Sequence, residues 1–189
     1  MDLPDNIKHI YICEPIQTNK QIICEKEKKM RIETHTWGVT QYELSHAIQL
    51  NIIHIILFNL NNNVPKTEIK DKHVLMFTTH IKTKISSYKQ QDIIKKKLDE
   101  TLFVNLYTVI QLLNECNLQC HYCSSDIYIL YEIVREMKQW TLDRIDNDKG
   151  HNTDNLVIAC LECNLKRKRT NKDKFMFTKN MKISREGIN

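Results

Sequence analysis

Apolar and polar positions alternate weakly over residues 1–35, with Ile7, Ile10, Ile12, Ile22, Ile23, Met30 and Ile32 as the apolar members. That pattern predicts short strands separated by polar turns. Residues 40–49 read as a helix, with Thr40 as N-cap and Glu43, three positions on, as its capping-box partner. The apolar run at residues 52–58 predicts a buried strand, closed by turn residues over 59–65, and residues 74–79 predict another. Residues 1–80 therefore predict a small α+β unit, and no catalytic motif falls inside it.

The character changes at residues 82–100. Lys82, Lys84, Lys89, Lys95, Lys96 and Lys97 make the stretch basic, and Ile93, Ile94 and Leu98 are among its few apolar residues. Residues 81–100 are the predicted boundary, either a solvated basic helix or linker, or an arm that follows a nucleic-acid backbone. Beyond it Leu102, Leu106, Val109, Ile110 and Leu113 recur at helical spacing, which predicts a helix over 102–113. Residues 126–137 carry Ile127, Leu130, Tyr131 and Val134 as an apolar face, on a helix or a strand.

Composition narrows the class. A hydrophobic content of 41% supplies a core, which excludes wholesale disorder. With three Gly and three Pro the chain is too poor in turn residues for a turn-dense all-β protein. The N-terminus lacks a signal-peptide pattern, and the longest apolar run is broken by His54 and Asn59. A soluble intracellular protein, not secreted and not in a membrane, is expected. The seven cysteines are an odd number, and four of them form two close pairs, which points to reduced, metal-bound thiols rather than a disulfide framework. Cys13, Cys24 and Cys116 read as small apolar residues.

The paired cysteines, Cys120-x-x-Cys123 and Cys160-x-x-Cys163, suit a tetrahedral zinc ion. Four sulfur ligands close the site, so this zinc is structural. The pairs are too far apart for a compact ribbon, so a small folded insert sits between them. That insert reads as a strand over 140–146, a turn over 147–150 and a second strand over 155–159, and a basic helix follows Cys163. Its acids, its His and the trailing cations suit phosphodiester chemistry on nucleic acid.

At these residues the chain resembles the HNH endonuclease family, whose motif is a ββα-metal fold. Leu142-Asp143-Arg144-Ile145-Asp146, Gly150-His151, Asn155-Leu156 and Cys160-x-x-Cys163-Asn164 match the zinc-bearing branch in order, over roughly residues 100–175. The resemblance implies a metal-dependent DNA endonuclease on residues 101–180. In that reading Asp143 and Asn164 hold a Mg²⁺ or Mn²⁺ ion, and Asn155 fixes the loop between the strands unless it is an ordinary turn residue. Arg144 stands where the family has its general-base His. A guanidinium cannot accept a proton, but it can clamp a phosphate. The base is then His151, which otherwise is a surface residue or a phosphate contact. Asp146 is second choice, as base, second metal ligand or start of an Asp-Asn turn. His121 reads as an exposed loop residue.

Lys166, Arg167, Lys168, Arg169 and Lys172 follow Asn164 and are read as DNA contacts on one helix, while Phe175 and Phe177 pack back onto the domain. The alternative function is a zinc-stabilised DNA-binding or transcription-related module that has lost cleavage, and residues 1–80 are a candidate site for a protein partner. Residues 181–189 are expected to fray.

Overall fold

The computed structural model describes residues 37–181, all within one unit, Ile32–Asn189. The strands expected over residues 1–35 and the expected fraying of 182–189 lie outside the described residues. The elements are mixed α and β: five helices and one two-stranded sheet among the described residues.

Residues 52–58 form no strand; they lie inside helix α1, His46–Asn61. Its buried residues are Gln49, Ile52, Ile53 and Ile56, one face at helical spacing, while Phe58 stays exposed. The β preference of isoleucine is a weak prior, and a face that buries three of them overrides it. The Thr40–Glu43 capping box does form: the Thr40 N–H donates to Glu43 Oε2 and the Glu43 N–H donates to Thr40 Oγ1. It closes a turn ahead of the helix, however, and Ser45 is the N-cap.

Residues 74–79 are helical too, within α2, Lys72–Ile94, whose N-cap Asp71 accepts from the backbone N–H groups of His73 and Val74. Its buried stripe runs Val74, Phe77, Ile81, Ile85, Tyr88 and Asp92, every third or fourth residue over the full length. The basic stretch expected as helix or linker is thus helical to Ile94, and its inner face belongs to the core.

Helix α3 spans Leu106–Glu115, starting after the expected position because residues 102–104 pair elsewhere. Phe103 bridges Asn152, the Val104 N–H donates to the His151 carbonyl, and the Thr153 N–H donates to the Leu102 carbonyl. Residues 126–137 form neither the expected helix nor a strand. They run irregularly with isolated bridges at Gln119–Asp126 and Tyr128–Gln139. Buried Gln49 replaces regular partners there: its Oε1 accepts from the Ile129 and Leu130 N–H groups and its Nε2 donates to the Leu130 carbonyl.

The insert between the Cys pairs is an antiparallel hairpin of β1, Trp140–Arg144, and β2, Leu156–Cys160, with Trp140 opposite Cys160 and Arg144 opposite Leu156. Helix α4, Leu161–Arg167, follows directly, and α5, Lys172–Asn180, comes after a break. The outer edge of β1 is closed by α2 side chains: Tyr88 Oη accepts from the Leu142 N–H, and Lys84 Nζ donates to the Trp140 carbonyl. Lys84 also lies 4.7 Å from the Trp140 ring centroid. Trp140, Leu142, Ile158 and Ala159 join Phe77, Ile81, Ile110 and Leu113 in one core. Among the described residues no helix is long and apolar enough to cross a membrane.

Candidate functional site

The four expected zinc ligands come together. Cys120 and Cys123 sit in the turn after α3, Cys160 ends β2 and Cys163 lies in α4. Their sulfurs all lie within 4.8 Å of one another. Cys123 Sγ and Cys160 Sγ are 3.9 Å apart; Zn–S bonds of about 2.3 Å at tetrahedral angles put sulfurs about 3.8 Å apart. The N–H of Tyr122 points at Cys120 Sγ and that of Cys163 at Cys160 Sγ, the polarity a thiolate wants. A hydrogen bond from the Cys160 thiol pushes Cys120 down to about 4. The cluster could hold a zinc ion. His121 is exposed and outside it.

Next to the cluster lies a buried polar knot centred on Asp143. Arg167 Nε donates to Asp143 Oδ2 at 2.6 Å and Nη2 to Oδ1 at 2.8 Å, and Tyr122 Oη donates to Oδ2 at 2.6 Å. Arg167 is fully buried, and it also donates to the carbonyls of Thr170 and Arg144. Two expectations change here. Arg167 is no DNA contact but the counter-charge of Asp143. And Asp143 with Asn164 does not fit the divalent ion that the resemblance implies. Both carboxylate oxygens already accept charge-assisted bonds, and a buried guanidinium stands where a second cation would come. A hard cation needs oxygen donors not already matched to a positive charge. Asn164 Nδ2 donates to Thr141 Oγ1, and among the described residues its Oδ1 is the one oxygen of the pair without a protein partner.

Asp143, Asn164, Arg144 and His151 nevertheless line one cleft, of about 280 Å³, together with Tyr88, Gln91, Lys95, Asn147 and Lys168. Among the described residues Asp143 is its only carboxylate, so Lys95, Arg144 and Lys168 leave the cleft cationic and suited to a phosphate. A larger hollow of about 410 Å³ against α1 and α2 has, among the described residues, Lys66 and Lys82 as its ionisable lining groups. It holds none of the site residues that the sequence marks out, whereas the smaller cleft brings Asp143, Arg144, His151 and Asn164 together and is therefore the candidate site.

His151 is 3% exposed, and α2 supplies its partner. Asp92 Oδ1 is 2.8 Å from His151 Nδ1, and Asp92 Oδ2 accepts from the His151 N–H at 2.6 Å. The Tyr88 ring lies against the imidazole, 4.5 Å between centroids. Burial pushes the His151 pKa below its ordinary value. The Asp92 charge and hydrogen bond pull it back, and Arg144 and Lys95 add to the lowering. Arg144 Nη1 donates to the Lys149 carbonyl and lies 4.0 Å from Asp92.

The loop between the strands is held rigidly. Asn155 Nδ2 donates to the carbonyls of Asp146 and Gly150, and its Oδ1 accepts from the Asp146 N–H. These bonds fix the loop, and Asn155, expected among the catalytic residues, does not line the cleft. Asp146 is exposed and its Oδ1 accepts from the Asp148 N–H, so it starts the Asp-Asn turn and stays out of the cleft as base or ligand. Gly150 is required by close approach: a Cβ there would stand 2.4 Å from the Lys97 carbonyl oxygen and 2.9 Å from Asp92 Oδ2.

The cations after Asn164 do not share one helix. Lys166 pairs with Glu162 on α4, Lys168 leaves the helix with a left-handed φ of 52°, Arg169 reaches Asp148, and Lys172 begins α5. Lys168 alone of them borders the cleft. Phe175 packs edge-on against Tyr122 as expected, but Phe177 is exposed.

Sequence reasoning missed Asp92, Tyr88 and Tyr122. Asp92 had a legible signal: it continues the 74-77-81-85-88 stripe by one more helical step, a carboxylate where the core face is due. No protein-family model matches the chain, and no curated protein or solved structure matches it.

Proposed function

We propose that the chain is an HNH-type nuclease that cleaves phosphodiester bonds in DNA, with zinc in the four-cysteine cluster as its structural ion. One observation carries the reading: a ββα unit tied by four cysteines places His151, Arg144, Asn164 and Asp143 around one cationic cleft. Arg144, Lys95 and Lys168 receive the phosphate and offset charge on its oxygens. His151 Nε2 takes the proton of the attacking water; the new P–O bond forms as the bond to the leaving oxygen breaks, the leaving oxygen takes a proton from solvent, and His151 returns its own to solvent. No step runs through a divalent ion at Asp143, because that carboxylate is committed to Arg167.

Replacing the base gives the direct test. In plasmid nicking by zinc-loaded protein, His151→Ala is expected to lower the rate by about 10²–10⁴-fold, the range of general-base catalysis. A base acts unprotonated, so activity falls as pH drops through its pKa. With that pKa lowered by burial, the acid limb lies below the ordinary imidazole value of about 6.5. Wild-type nicking by His151→Ala would remove the reading.

Binding is tested separately. Lys95→Ala and Lys168→Ala are each expected to reduce the slope of log K against log salt by about 0.9, one phosphate contact apiece. Slopes equal to wild type would place the backbone elsewhere. The commitment of Asp143 to Arg167 also favours a second reading, a zinc-stabilised DNA-binding or transcription-related module without cleavage. Salt-sensitive binding with no nicking under any divalent ion would select it.

A further inference from the structure

The polar groups around the cleft include one that the ββα unit does not supply. Asp92 stands on α2, earlier in the chain than the first cysteine pair, and its carboxylate is 0% exposed. A carboxylate at the end of an apolar stripe is costly to bury unless every acceptor is used. Here both oxygens are used on one residue: Oδ1 faces His151 Nδ1 at 2.8 Å and Oδ2 takes the His151 N–H at 2.6 Å. At Gly150 the backbone comes so close to Asp92 and to the Lys97 carbonyl that a Cβ would not fit.

We infer that Asp92 is the positioning residue of the reaction, holding His151 as the tautomer whose Nε2 is the proton acceptor; this rests on the hydrolytic reading above. An ionised carboxylate only accepts, so the hydrogen of a neutral imidazole sits on Nδ1 and the lone pair on Nε2. Among the described residues no hydrogen bond occupies Nε2, and His151 lines the cleft. The charged and titratable groups about the imidazole are Asp92 and Tyr88 from α2, Lys95 just after it and Arg144 from β1, with Lys168 bordering the same cleft beyond α4. Asp143 lines the cleft too but is paired with Arg167, and Asp92 is the acid that meets the imidazole. The proposed nuclease is therefore a composite: the hairpin carries the base, and a helix outside the ββα unit aims it.

A purely structural role predicts something different. Asp92 would then clamp the loop to α2, and its replacement would act only through folding. Asp92→Asn in the full chain separates the two, since the amide oxygen can still accept the His151 N–H. The expected result is a fall in kcat of about 10²–10⁴-fold with KM and salt-dependent DNA affinity unchanged, as when an orienting Asp is replaced in a His-based triad. A shifted acid limb in the pH profile is expected with it, which folding losses alone would not move. Nitrogen-15 resonances of His151 in the wild-type protein read the tautomer without any activity. A protonated Nδ1 and bare Nε2 at neutral pH support the assignment, and the reverse overturns it. Asp92→Asn cutting at the wild-type rate and pH profile also overturns it. If the wild type shows the Nδ1–H tautomer yet cuts no DNA, the dyad stands and the hydrolytic reading fails.

Discussion

Stripping metal from Cys120, Cys123, Cys160 and Cys163 is expected to unfold the hairpin and α4, and Cys160→Ser is expected to yield a protein that neither retains zinc nor shows a cooperative melt. The argument is topological. The four cysteines come from the turn after α3, the end of β2 and the first turn of α4, so an ion held by them would join all three. A two-stranded hairpin is marginal without such support. Structural zinc contributes about 10–16 kcal/mol of apparent binding free energy, as large as the whole stability of an ordinary domain, about 5–15 kcal/mol. Trp140 is fully buried on β1, so its fluorescence and near-ultraviolet dichroism should report the loss on chelation. Elemental analysis should find one zinc per chain. A folded protein with no bound metal, or a melt indifferent to chelator, would refute the zinc assignment.

The second large effect is at Asp143. Asp143→Asn leaves the Arg167 guanidinium buried without its counter-charge and takes the charged acceptor from Tyr122. Breaking a buried pair from one side costs about 3–5 kcal/mol, which for a chain of this size lowers Tm by roughly 6–20 °C. The double change Asp143→Leu with Arg167→Met is expected to recover much of that loss, because no charge is left stranded. A metal ligand behaves otherwise: its removal would weaken the dependence of cleavage on Mg²⁺ and leave Tm unchanged or higher. Thermal melts of the single and double variants, beside a Mg²⁺ titration of nicking, decide between these roles.

The hairpin and the helix after it were legible because local signals agree there. The Cys-x-x-Cys spacings, the turn ahead of Gly150 and the apolar strand residues all ask for the same backbone, and β1 and β2 fall within a residue or two of the expected bounds. Residues 52–58 and 74–79 misled because branched and aromatic runs favour strands locally, whereas each segment holds one face of a long helix pair. Residues 126–137 misled for the opposite reason. Their apolar side chains enter the core, but the backbone is satisfied by Gln49 from far away in sequence.

The same division runs through the site. Sequence alone determined the four-cysteine cluster, the loop-fixing Asn155 and the presence of His151 on that loop, since each is set by residue type and short spacing. Only the tertiary structure decided which partners Asp143, Arg167 and His151 have. Charge in sequence does not tell whether a guanidinium points to solvent or into the protein. Arg167 turned inward because Asp143, on the neighbouring strand, offers it a buried counter-charge that water cannot match in fixed geometry. His151 gained a partner because α2 crosses the hairpin with a carboxylate at its last buried position. Both pairings join residues separated by 24 or more positions. Pairings of that range depend on how helices and strands pack, and packing is read from the folded chain, not from any window along it.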